Sequence, residues 1–113
     1  METIERATVY TTLDVVDYVA GAQQTAKLIS KITGSVTIVA VDAGLNTTNK
    51  VSPFDTLLYV IDGSAEVKIN QKGHNLTAGQ CIILPAHIQS HVASKTRFKM
   101  LLTVIKSGYE NSI

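Results

Sequence analysis

A chain of 113 residues with 45% apolar side chains can build one compact domain with its own core, and it is too short for a second. Ten Lys and Arg against nine Asp and Glu leave a formal charge of +1, which excludes the strong basic field of a nucleic-acid binder or of a protein drawn to an anionic membrane. The single cysteine, Cys81, excludes an internal disulfide, and its place in the apolar run Cys81-Ile82-Ile83-Leu84 predicts a small buried hydrophobe.

In chain order, Met1 to Arg6 lack the basic start and apolar stretch of a secretory signal, so the cytoplasm is the expected compartment. Residues 1–24 are expected to form an arm with one short helix, because Thr12 stands as a hydroxyl cap ahead of Leu13 and Val16 at a spacing of three. From Thr25 the hydrophobic period changes. Residues 26–30 and 36–42 read as a hairpin around Gly34. Residues 43–52 are polar and predict a loop, and Pro53 delays the next central strand until after itself. A dense apolar strand follows over 57–61, Asp62-Gly63 makes a corner, 65–69 alternate back, and 70–73 turn again before His74-Asn75-Leu76. Gly79 opens a strand over 81–84 that Pro85 ends, 90–93 resume it, and 98–105 form a last long strand. On that strand Phe98, Met100, Leu102 and Val104 share a face under the period-two rule. Residues 107–113 read as a tail with little to pack. Seven or eight short strands, punctuated by Gly and Pro about every 8–12 residues, predict an all-β sandwich or closed barrel.

Several of these segments resemble the cupin superfamily, in particular its small single-domain conserved-barrel members. The corner Tyr59-Val60-Ile61-Asp62-Gly63 is similar to the Tyr-Val-Leu-Glu-Gly that closes the family's first motif. Gly79, with Pro85 six positions later, is similar to the start of the second. The likeness spans roughly residues 36–104 and implies a jelly-roll double-stranded β-helix over 25–106, with a pocket inside one end. It implies no single reaction, since the fold hosts isomerases, dioxygenases, lyases, sugar-binding regulators and storage proteins.

The family's first motif usually supplies two His separated by one residue and then a Glu, and its second supplies one more His. Counted from Gly63 and Pro85, those ligand positions fall on Lys50, Ser52, Thr56 and Ser90. A transition metal needs imidazole nitrogens or carboxylate oxygens converging on one point, and three hydroxyls with an ammonium supply neither charge nor basicity. The expectation is a barrel with no metal and no cofactor. Lys50, Ser52, Thr56 and Ser90 would bind a small organic molecule, anionic or sugar-like, with Lys50 pairing an anionic group and the hydroxyls hydrogen-bonding it.

Two other readings compete. A metal-dependent enzyme of isomerase or oxygenase type would need relocated ligands from His87, His91, His74 and Asp55. In a regular strand His91 faces opposite to Ser90, and only a bulge would turn it inward. His87, just past Pro85 where the family often has Gly or Asn, is expected at the barrel rim. Asp55 serves equally well as a pocket carboxylate or as a partner for nearby turn amides. Alternatively, the barrel is a non-catalytic partner-binding or regulatory module. An outward apolar face of Leu57, Tyr59 and Ile61 predicts a homodimer. Neither nucleic acid nor membrane is an expected partner, and the sequence does not decide whether a reaction is catalysed.

Overall fold

The computed structural model describes residues 4–46 and 51–106. Its seven strands are β1 (Gln23–Lys31), β2 (Gly34–Val41), β3 (Asp55–Ile69), β4 (Lys72–Thr77), β5 (Cys81–Leu84), β6 (Ser90–Ala93) and β7 (Phe98–Ile105). All pairings are antiparallel. The first half of β3 joins a sheet of order β1-β2-β7-β3-β5, and its second half lies between β4 and β6.

The path of β3 departs from the sequence reading, in which Asp62-Gly63 reverses the chain between two strands. The strand is continuous, and Gly63 bends it rather than turning it back. The register against β7 slips between Val60 and Asp62, which is the mark of a bulge. Gly63 then takes φ +75, and a Cβ there would collide with the Arg97 carbonyl oxygen. Only glycine permits both the left-handed conformation and the close approach of β7. The bend lets one strand cross from the first sheet to the second.

Inward side chains from both halves of β3 meet between the sheets: Leu58 and Val60 from one, Ala65 and Val67 from the other. Val39 and Val41, Leu76, Val92, Phe98 and Met100 complete this core. Strand β2 is apolar throughout 38–41 because both its faces are covered, so no alternation of polarity is required there. Val39 and Val41 face the core, whereas Ile38 and Ala40 pack outward against Val16 and Ala26.

That outer cluster seats the N-terminal arm. The expected helix is reduced to a single 3-10 turn, Thr12–Asp14, whose N-cap is Thr11 with no side-chain bond. β-branched Val15 and Val16 follow at once, and they disfavour further helix while packing well against the sheet. Instead of helical hydrogen bonds, the arm is held by side chains from the barrel. Lys99 Nζ donates to the Leu13 carbonyl, and Lys99 is only 7% exposed. Its ammonium lies 4.9 Å from the Tyr18 ring centroid, and the Arg97 guanidinium lies 4.7 Å from it.

The Tyr18 hydroxyl donates to Asp62 Oδ2 at 2.6 Å. Burial first, then the bond and the charge of Asp62, push the phenol well above its ordinary pKa. A folded-state value raised in this way contributes stability that is complete below pH ~10, the ordinary tyrosine value, and is lost as pH rises beyond it. In an alkaline titration Tyr18 should ionise late, above the ordinary tyrosine range. Tyr18→Phe should delete that late component of the tyrosinate absorbance, and an unchanged curve would refute the assignment.

Two further expectations are corrected. Cys81 is exposed rather than buried, because β5 pairs with β3 alone and turns Cys81 and Ile83 outward while Ile82 and Leu84 face in. Ile61 does not continue the outward face of Leu57 and Tyr59. The bulge turns it to the cluster beneath the arm. No helix among the described residues is long and apolar enough to cross a membrane.

Candidate functional site

At the end of the core where β3 begins, the two sheets part around a cavity of about 230 Å³. Strand parity determines what faces it. On β3, Thr56 and Leu58 point in, while Asp55, Leu57 and Tyr59 point out. On β6, Ser90 and Val92 point in, and β7 contributes Met100, Leu102 and Val104. Ser52 and Phe54 close one side from the segment ahead of β3, and Leu84, Pro85 and Ile88 close the other.

The rim is fastened by hydrogen bonds between these two segments. The His87 amide donates to the Ser52 carbonyl at 2.6 Å, and the Ala86 amide donates to Asp55 Oδ1 at 2.7 Å. Ser52 Oγ also accepts from the Phe54 amide at 3.1 Å, so both ends of Ser52 are fixed. His87 takes φ 66, unusual for a residue with a side chain. Further round, the buried Ser94 hydroxyl donates to the Asp42 carbonyl at 2.5 Å and accepts from the Leu45 amide at 3.2 Å. These bonds hold the start of the β2–β3 connection against the end of β6, where Asn46 bridges Ala93.

Of the residues singled out from the sequence, Ser52, Thr56 and Ser90 line this one cavity. Lys50 lies outside the described residues. Asp55 is at the rim, and its carboxylate holds the Ala86 amide rather than facing the cavity. His87 is exposed in the rim turn. His91, opposite to Ser90 in strand parity, does not line this cavity and borders a separate polar depression with Lys68, Gln71, Gln89 and Ser90. His74 borders a separate surface depression beside Gln80 and Cys81. Gln23 also reaches the cavity and was not anticipated. It faces the same side of the first sheet as its partner Val41, but from the outermost strand.

The fold and the cavity can now be set beside known structures. A conserved protein of unknown function from Streptococcus pyogenes shares 27% identity, with a TM-score of 0.86 over 95% of this chain and 96% of that one. A cupin 2 conserved barrel domain protein from Leptotrichia buccalis shares 30% identity, with a TM-score of 0.80 over 83% of this chain and 46% of its own. This chain is a small cupin domain. A cupin superfamily protein from Desulfitobacterium hafniense, at 17% identity, shares the fold with a TM-score of 0.86 over 94% of this chain and 97% of that one. No family model matches this cupin's sequence, and no curated protein matches it.

Among the described residues, the donor set bordering this cavity does not fit a transition metal. Three of the positions where the resemblance puts metal ligands border the cavity, and all three carry neutral hydroxyls. Residues 47–50, Thr-Thr-Asn-Lys, bring no imidazole, thiol or carboxylate either. The relocated set of His87, His91, His74 and Asp55 is dispersed over the rim and outer surfaces, because strand parity and the rim turn send each of them elsewhere. Among the described residues, no three His, Cys, Asp or Glu side chains come close enough to hold an ion. What the cavity can do is enclose an apolar body and hydrogen-bond one or two of its polar atoms.

Proposed function

We propose that this cupin binds a small organic molecule in the cavity between its sheets, without a transition metal. The observation that carries the reading is the convergence of Ser52, Thr56 and Ser90 on one largely apolar cavity. Hydroxyls at those positions keep hydrogen-bonding capacity while removing the basic donors that a metal requires.

The test combines elemental analysis of protein purified without chelators with a thermal-shift screen of small organic molecules. Zinc, manganese, iron and nickel are expected well below one equivalent. A molecule that fills the cavity at 100 times its Kd should add ~2.7 kcal/mol, raising Tm by roughly 10 °C in a domain of this size. Near-stoichiometric metal that resists dialysis would overturn the proposal.

A second reading concerns assembly and rests on the outer face of the first sheet. Leu57 pairs with Ile83 and Tyr59 with Cys81, and Leu57, Tyr59 and Ile83 are all exposed. Thr103 and Leu101 continue the patch on β7 without a charge. A second copy can cover such a face with itself, with no like charges opposed. Sedimentation equilibrium should give the mass of two chains, and Tyr59→Lys should give one. A monomer at tens of micromolar would end this reading.

A further inference from the structure

We infer that this cupin has a second ligand site, for a phosphate-sized oxyanion, in the depression bordered by Lys68, Gln71, Gln89, Ser90 and His91. The site is separate from the cavity between the sheets and does not depend on what that cavity binds.

Strand register builds it. Val67 of β3 is paired with Val92 of β6, and both are buried in the core. One step along, Lys68 stands directly opposite His91, so by strand parity the two share the other face of the second sheet. Across from Lys68 on β4 stands Gly73, which offers no side chain to pair with the ammonium. Two basic groups placed cross-strand gain nothing from each other, and they repel when both are protonated. An anion bound beside them reverses the sign of that interaction.

The neighbouring turn adds two amides. Asn70 and Gln71 form the two-residue connection between β3 and β4, with φ 51 and 73. Such turns match the twist of the hairpin and favour glycine at the second position. Gln71 occupies that position at a conformational cost, and it borders the depression. The Asn70 amide donates to the Gln89 carbonyl at 2.9 Å, which fixes the turn against the residue that leads into β6.

His91 supplies an independent pointer. Its Nδ1 is buried and, among the described residues, has no hydrogen-bond partner, an uncommon and costly condition for a polar atom. Glu66, the acid nearest along β3, has its Oε2 3.7 Å from the place that a Cβ on Gly73 would take, on the β4 side of the strand. Among the described residues it forms no ion pair with Lys68 or His91. Residues 47–50, Thr-Thr-Asn-Lys, hold no acid, so they bring nothing that would cancel the charge of Lys68. An ammonium, an imidazole, two amides and a hydroxyl all donate hydrogen bonds, which suits the several oxygens of a phosphoryl group. At about 290 Å³ the depression equals roughly ten times the liquid volume of one water, so such a group fits with part of its hydration.

The test follows the whole chain by NMR while inorganic phosphate replaces chloride at constant ionic strength and neutral pH. Phosphate should shift the Lys68 and His91 amides and the His91 ring in a saturable way, and leave Thr56 and Leu58 in place. Acetate, with two oxygens, should bind about tenfold more weakly. Lys68→Gln should weaken phosphate about tenfold, the loss of one charge-assisted bond. Gln71→Gly should weaken it about threefold, the loss of one neutral bond, yet raise the midpoint of urea unfolding, because glycine relieves the turn. A Gln71 with a structural role alone would give the second change without the first, and its place in the site would be wrong. Shifts that chloride reproduces would mean an adventitious ion only and overturn the inference. If acetate matches phosphate, the ligand class is wrong. If Lys68→Gln binds phosphate as the parent does, the site itself is wrong.

Discussion

Replacing Gly63 by alanine should cost about 2–5 kcal/mol, a large share of the 5–15 kcal/mol that holds a domain of this size together. Two penalties combine. A left-handed φ of +75 is strained for any L side chain, by roughly 1–2 kcal/mol. The added methyl would also collide with the Arg97 carbonyl oxygen and lie 3.0 Å from Phe98 Cα, and backbone atoms cannot step aside as a flexible side chain can. Overpacking of this kind typically costs another 1–3 kcal/mol. Gly79→Ala is the matched control: it carries φ +93, but nothing lies within 4 Å of its added methyl, so only the conformational penalty of about 1–2 kcal/mol applies. Urea denaturation should show a much lower midpoint for Gly63→Ala than for Gly79→Ala. Equal midpoints would mean that β7 does not crowd the bend.

The second large effect is a gain. Ser52→His, Thr56→Glu and Ser90→His together should give this cavity a site for Zn²⁺ or Mn²⁺, because two imidazoles and a carboxylate are an established catalytic ligand set. The argument is positional: these three side chains already border one cavity, so the right atoms should converge there. Without metal the triple variant should be less stable than its parent, since a carboxyl and two imidazoles replace small hydroxyls beside Leu58 and Met100. With ion at 100 times Kd it should regain ~2.7 kcal/mol, seen as a Tm rise of roughly 10 °C that chelator reverses, while the parent stays unmoved. If the triple variant does not fold without metal, Ser52→His with Ser90→His alone asks the same question more gently. A folded variant blind to every ion would mean that these positions do not look towards a common point.

The sequence was most legible where chemistry changes sharply. Pro85 and the apolar runs beyond it bracket β6 and β7, and both strands occupy the expected spans, 90–93 and 98–105. Motif spacing picks out Ser52, Thr56 and Ser90, which border one cavity, and period-two alternation keeps His91 out of it. Asp62-Gly63 misled because the pair that favours a tight reversal also suits a bulge and bend, and the difference lies in β7, which is remote in sequence. Cys81 misled because β5 is apolar on both faces, so composition could not tell inward Ile82 from outward Cys81. Gln23 could not be found at all from its neighbours. It reaches the cavity only because β1 pairs with β2 in a particular register.

A single strand, β3, supplies the central ladder of both halves of the molecule. There is consequently no seam along which this cupin divides into two self-sufficient pieces. Any cut that spares one half takes away the rail on which the other is hung, and the enclosure for a guest vanishes at the same stroke.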